Sequence, residues 1–99
     1  MKTKDLSIFT QMVNIANDQE LEYKILYSYS PRLAANGYTE SYKLVLCTNL
    51  FKVVYSENFV PENTSAIKAF LKYNEDVCIK LDFDIKISSD NDIELTNFR

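Results

Sequence analysis

Carboxylates at alternating positions are concentrated near the C-terminal end of the sequence. Asp82 and Asp84 would lie on one face of a strand, and Asp90, Asp92 and Glu94 follow with the same two-residue spacing. Acids at such spacing can coordinate calcium or serve as the acid and base of a glycosidase. Calcium binding and glycosidase catalysis are therefore the first functions that these residues suggest.

A solvated, charge-paired surface explains these carboxylates better than a metal or catalytic site. The sequence around residues 90–92 lacks the glycine and the distant bidentate glutamate of an EF-hand loop. Lys80 and Lys86 flank Asp82 and Asp84 as cross-strand charge partners would. We therefore predict no metal, no cofactor and no catalytic residue, and we expect that the protein is not an enzyme.

The scarcity of histidine and glycine excludes most other active sites. The sequence has no histidine, which removes Ser-His-Asp and Cys-His catalysis and the HExxH zinc motif. The single glycine, Gly37, cannot build a Walker A loop or a dinucleotide-binding fingerprint. Cys47 and Cys78 lie in strand patterns, where a reactive thiol is not expected. We predict free, partly buried structural thiols rather than a disulfide.

The negative charge of the chain comes from its last quarter. The formal charge is −3 and the sequence pI is near 4.8. Residues 75–99 carry seven acidic and three basic side chains, whereas residues 1–74 carry seven acidic and eight basic ones. Rows of carboxylates attract basic protein surfaces and can occupy a groove built for phosphates, but they repel nucleic acid.

The predicted partner is therefore a basic protein surface, such as that of a nucleic-acid-binding protein, and not nucleic acid itself. A charged, exposed sheet that keeps an edge soluble is the alternative explanation. The residues predicted to bind the partner are Glu75, Asp76, Asp82, Asp84, Asp90, Asp92 and Glu94.

Hydrophobic periodicity predicts the elements that must position these residues. Apolar residues at three- and four-residue intervals predict helices over 5–17 and 61–73, with Thr3 or Asp5 as the first N-cap. Asn36-Gly37 predicts a hairpin turn, and Pro31 is expected to end the strand before it. Alternating polarity predicts strands over 21–29, 38–46, 50–56, 77–88 and 93–95. The prediction is one α+β domain over residues 1–99, an antiparallel sheet of about five strands with two helices in the order α-β-β-β-α-β-β.

The longest predicted strand is too long for a domain of this size. Residues 77–88 alternate between apolar and polar without interruption. At about 3.3 Å per residue such a strand extends on the order of 40 Å, whereas a 100-residue domain has a radius of gyration of about 13 Å. Either the strand bends sharply, or the hairpin that it forms with residues 93–95 projects from the domain.

Seven tyrosines and no tryptophan give the chain an unusual aromatic content. Tyrosine has an apolar ring and a hydroxyl, and it is enriched at protein interfaces. Tyr23, Tyr27 and Tyr29 share the parity of Ile25, so we predict that most of their rings cover the helices.

In size, acidity and helix–sheet–helix layout, the chain resembles small phage-encoded inhibitors such as acidic anti-CRISPR proteins. The likeness extends over the first three-quarters of the chain. A low-GC source fits it, because 39 of the 99 residues are Lys, Asn, Ile, Tyr or Phe, which have AT-rich codons. The resemblance implies a nucleic-acid mimic that inhibits a nucleic-acid-handling protein in the bacterial or host-cell cytoplasm. No apolar run approaches the roughly 18–20 residues that span a bilayer, so we expect neither membrane insertion nor secretion.

A second hypothesis is a structural role. A self-assembling or accessory subunit would pair its C-terminal hairpin with that of a second copy and form a homodimer by strand addition.

Overall fold

The computed structural model describes residues 1–34, 37–59, 64–88 and 92–99, which form two helices and seven strands. The helices are α1 (Leu6–Asp18) and α2 (Thr64–Tyr73). The strands are β1 (Lys2–Thr3), β2 (Tyr23–Ala34), β3 (Gly37–Thr48), β4 (Lys52–Phe59), β5 (Cys78–Lys80), β6 (Asp84–Ile87) and β7 (Ile93–Thr96). The α+β class is confirmed, and the observed order differs from the predicted one by β1 and by the division of the long strand into β5 and β6.

Five strands form one mixed sheet in the order β1-β4-β3-β2-β5. The β2–β3–β4 meander is antiparallel as predicted, but both edge strands run parallel to their neighbours. The prediction of a purely antiparallel sheet is wrong at these edges. The reason is that α1 carries the chain from β1 to β2 and α2 carries it from β4 to β5, and a helical crossover returns a strand in its original direction.

The two helices cover one face of this sheet. Phe9 of α1 and Phe70 of α2 meet edge to face, with ring centroids 5.6 Å apart. Alternate residues of the meander complete this helix-side core, which fixes the inward parity of β2, β3 and β4. Its fully buried members include Phe9, Ile25, Leu44, Leu46, Val53 and Ile67.

Local hydrogen bonds define both ends of α1. Asp5 is the N-cap, as predicted, and its carboxylate accepts a hydrogen bond from the Ser7 backbone N–H at 2.8 Å. Hydrogen bonds from Ser7 hold the pKa of Asp5 below its usual value. At the other end the Leu21 N–H donates to the Ala16 carbonyl at 2.9 Å, and Glu20 adopts a left-handed conformation with φ 53°. This Schellman-type ending normally favours glycine at the position of Glu20.

Pro31 does not end β2, which continues to Ala34. The Ile25 N–H donates to the Val77 carbonyl and the Leu81 N–H donates to the Tyr27 carbonyl, so odd residues of β2 direct their backbone groups away from β3. Pro31 has the same parity, and its missing N–H therefore removes no bond to β3.

The hairpin between β2 and β3 has a register that moves the predicted turn. Gly37 pairs with Ala34 and is the first residue of β3. Gly37 is therefore not a central turn residue, as the Asn36-Gly37 prediction required. The two connecting residues, 35–36, lie outside the described part of the chain.

The predicted strand over residues 77–88 bends rather than projects. β5 ends at Lys80, and β6 begins at Asp84 in a separate two-stranded sheet with β7. This β6–β7 hairpin covers the sheet face opposite the helices, where Phe83 is fully buried. The radius of gyration of 13.6 Å agrees with a folded-back hairpin. The second core contains Leu26, Val45, Val54 and Phe83, with Leu81, Ile85, Ile93 and Leu95 packed against it.

Strand β1 was not predicted, because two residues are too few to show a period. The Val54 N–H donates to the Met1 carbonyl at 2.9 Å, and Lys2 and Thr3 stand in register with Val54 and Tyr55. Since Val54 belongs to the hairpin-side core, this register places Lys2 on the hairpin side of the sheet.

Candidate functional site

The acidic hairpin lies on the face of the five-stranded sheet that carries Lys43. Lys43 of β3 points to the hairpin side, and its Nζ lies 3.1 Å from the Asp84 Oδ1. The same ammonium group donates to the Phe83 carbonyl at 3.5 Å. Part of the predicted acidic surface is therefore neutralised within the chain.

Arg99 joins the two carboxylates that were predicted to form the start of an acidic row. Its Nη1 lies 2.7 Å from the Asp82 Oδ1 and its Nη2 lies 3.1 Å from the Asp84 Oδ2. Asn97 also donates to the Asp84 Oδ2 at 3.0 Å. The hydrogen bond from Asn97, followed by that from Lys43, lowers the pKa of Asp84 to about 2, and the two aspartates raise the pKa of Arg99.

The predicted charge partners of Asp82 and Asp84 are therefore wrong. The ion pairs are made by Lys43 and Arg99, which are distant in sequence, and not by the neighbouring Lys80 and Lys86. Lys80 instead lies over the Tyr29 ring, 5.9 Å from its centroid. The ion pairs of Lys43 and Arg99 join groups that are 15 to 41 residues apart in the sequence, which local spacing could not reveal.

Of the hairpin carboxylates beyond Asp84, two lie in the described part of the chain and take no part in these ion pairs. Asp92 and Glu94 are exposed, and Glu94 stands opposite Lys86 in the β6–β7 register. Within the described residues neither side chain makes an ion pair. Asp90 lies outside the described residues.

The other two predicted acids occupy the turn between α2 and β5. Glu75 and Asp76 are both exposed, and neither forms an ion pair within the described part of the chain. Tyr73, at the end of α2, precedes them with a side chain that is 90% exposed. We refer to Tyr73, Glu75 and Asp76 as the acidic turn.

Hydrogen bonds from Asn74 give the acidic turn a defined backbone. The Asn74 side-chain amide and its N–H donate to the Phe70 carbonyl at 2.9 and 3.1 Å. The Asn74 carbonyl accepts from the N–H groups of Val77 and Cys78 at 3.0 and 3.1 Å. Exposed side chains therefore stand on a fixed turn rather than on a loose loop.

The exposure of Tyr73 was not predicted from the sequence. Tyr23, Tyr27 and Tyr29 are half-buried against the helix-side core, which confirms the prediction for these rings. Tyr73 follows Phe70 by three residues, so helical spacing alone does not separate it from the apolar stripe of α2 that contains Ile67 and Phe70.

Both cysteines have a pKa raised by burial, although the charges of Lys52 and Lys24 oppose the shift at Cys47. Cys47 stands on the hairpin side of the sheet and Cys78 on the helix side, so the two thiols cannot form a disulfide within one chain. Burial raises the pKa of the Cys47 thiol, and it raises that of the Cys78 thiol to about 11. Such thiols are protonated and unreactive near neutral pH.

Within residues 1–34, 37–59, 64–88 and 92–99, no group of three or more cysteine, aspartate or glutamate side chains is arranged to hold a metal ion. In the same residues, neither helix has the length and apolar character needed to cross a membrane.

Comparisons with known proteins do not place the chain in a family. No protein-family model matches it, and no curated protein or solved structure shows significant similarity.

Proposed function

We propose that this protein is a non-enzymatic interaction module that binds a basic surface of a partner protein through its acidic turn. The observation that carries the proposal is the 90% exposure of Tyr73 beside two carboxylates with no ion pair within the described residues. Tyrosine is enriched in binding hot spots because its ring provides a large, stiff contact surface. A turn already fixed by hydrogen bonds loses little conformational entropy on binding.

The specific form of the proposal is an inhibitor of a nucleic-acid-handling protein. Sites for single-stranded nucleic acid combine cationic side chains for phosphates with surfaces on which bases stack. The acidic turn presents the counterpart of each feature. Glu75 and Asp76 supply negative charges in place of phosphates, and the Tyr73 ring supplies a stacking surface in place of a base. The formal charge of −3 opposes direct binding to nucleic acid and favours a cationic protein groove.

Capture from an extract of the source cell, followed by calorimetry with the purified partner, tests the proposal. Tyr73→Ala is expected to weaken binding about 30-fold, the effect of a hot spot of about 2 kcal/mol. The double variant Glu75→Gln/Asp76→Asn is expected to weaken binding severalfold at low salt. That difference should shrink at about 0.5 M salt, because screening removes the electrostatic contribution.

The double variant Asp92→Asn/Glu94→Gln is the matched control, since it changes the charge equally but on the hairpin. We expect its affinity to stay within about twofold of wild type. Wild-type affinity in both acidic-turn variants would exclude the acidic turn as the binding site. Concentration-dependent dimers in sedimentation that require the hairpin would favour the self-assembling subunit instead.

A further inference from the structure

A groove on the hairpin side of the sheet lies between β1, β4 and β6. Its volume is about 470 Å³, within the range of pockets that take small molecules. Three lysines, Lys2, Lys4 and Lys43, line it together with the apolar side chains of Val54, Ile85 and Ile87. We call this site the lysine groove.

The apolar side of the lysine groove contains Ile87, which does not pack against the hairpin-side core. Ile85, Ile87 and Ile93 belong to the apolar row of the hairpin, and Ile87 pairs with Ile93 across the two strands. Ile85 and Ile93 pack against the hairpin-side core, whereas Ile87 is half-buried and lines the groove. Within the groove, Ile85, Ile87 and the buried Val54 form a short apolar strip that an alkyl chain can cover.

All charged side chains that line the lysine groove within the described residues are positive. No carboxylate lines it within the described residues. Lys43 is already paired with Asp84, but Lys2 and Lys4 are exposed and make no ion pair within the described part of the chain. Two free ammonium groups thus stand at the edge of an apolar strip in a protein that is acidic as a whole.

We propose that the lysine groove binds a small amphiphilic anion, namely a straight-chain fatty carboxylate. The ammonium groups of Lys2 and Lys4 bind the carboxylate head, and the alkyl chain lies along Ile85, Ile87 and Val54. Charge complementarity selects an anionic head over a neutral or cationic one. The site is separate from the acidic turn and does not depend on the proposed function.

Titration with dodecanoate, dodecanol and dodecylammonium below their micelle concentrations tests the choice of ligand. Dodecanoate is expected to bind most tightly and to shift the NMR signals of Thr3, Val54 and Ile87. Lys2→Gln/Lys4→Gln should weaken dodecanoate binding about tenfold and leave dodecanol binding unchanged, since two exposed charge contacts contribute up to about 1 kcal/mol each.

Two matched variants complete the test. Lys24→Gln/Lys72→Gln makes the same charge change away from the groove and should keep wild-type affinity, as should the charge-preserving Lys2→Arg/Lys4→Arg. Equal affinity of the wild-type protein for dodecanoate and dodecylammonium would overturn the proposal. So would signal shifts confined to the helix side, or an equal loss of affinity in the Lys24/Lys72 variant.

Discussion

Replacement of Phe83 by alanine should separate the contribution of the hairpin from that of the rest of the fold. Phe83 is 0% exposed and lies between the hairpin and the residues Leu26, Val45 and Val54, one on each strand of the meander. Deleting a buried phenylalanine ring costs about 3–5 kcal/mol. The meander cannot collapse into the cavity because its strands are held by their ladders, so the hairpin is the wall that has to move.

That cost is large for a domain whose total stability is expected at about 5–15 kcal/mol. An isolated two-stranded hairpin is at best marginally stable in water, so weaker docking should also release β6 and β7. Urea unfolding is expected to show Phe83→Ala destabilised by about 3–5 kcal/mol. Amide exchange should show lost protection at Lys86 and Glu94, which form a hydrogen-bonded pair of the β6–β7 ladder, before residues of the helix-side core.

Phe98→Ala is the control for this prediction. The Phe98 ring lies 6.0 Å from that of Phe83, but its side chain is 57% exposed, so its loss should cost less than about 1 kcal/mol. A loss below about 1 kcal/mol for Phe83→Ala would refute the second core. Equal loss of amide protection on both sides of the sheet would refute the separate opening of the hairpin.

Three other predictions follow from individual residues. Glu20→Gly should stabilise the fold by about 0.5–1 kcal/mol in thermal melts, because glycine adopts the left-handed conformation at φ 53° without strain, and an unchanged Tm would contradict this. The lowered pKa of Asp84 adds stability that is present above its ordinary pKa of 3.8 and is lost as the pH falls toward about 2. The Asp84→Asn variant should therefore lose less stability than the wild type over that pH interval. Equal losses in the two proteins would exclude the pairing of Asp84 with Lys43, Asn97 and Arg99. In a mass-spectrometric assay at pH of about 8, Cys78 should react with iodoacetamide at least a hundredfold more slowly than free cysteine, because its thiol has a pKa of about 11. A rate equal to that of free cysteine would show that the thiol is not buried.

Periodicity predicted the elements whose contacts are strongly one-sided. Both helices have a polar and an apolar face, and alternating apolar residues such as Ile25 and Leu44 marked the helix-facing parity of the meander. The parity of residues 81–85 was readable for the same reason. The sheet is covered on both faces, however, and parity alone could not show which layer Leu81, Phe83 and Ile85 belong to.

The parts that escaped prediction depend on long-range placement. Arg99 is 17 residues from Asp82, and no local pattern connects the two side chains. Likewise, the tolerance of Pro31 inside β2 depends on which edge of the strand its nitrogen faces, which only the register reveals. The acidic residues could be listed from the sequence, but their division into paired and exposed groups required the fold.

The most direct test of the central claim is NMR mapping of the captured partner on the isotope-labelled protein. Binding through the acidic turn predicts line broadening and shifts at Tyr73, Glu75 and Asp76, with little change at Ile85 and Leu95 of the hairpin. Broadening confined to β6 and β7, with the signals of the acidic turn unchanged, would contradict the account.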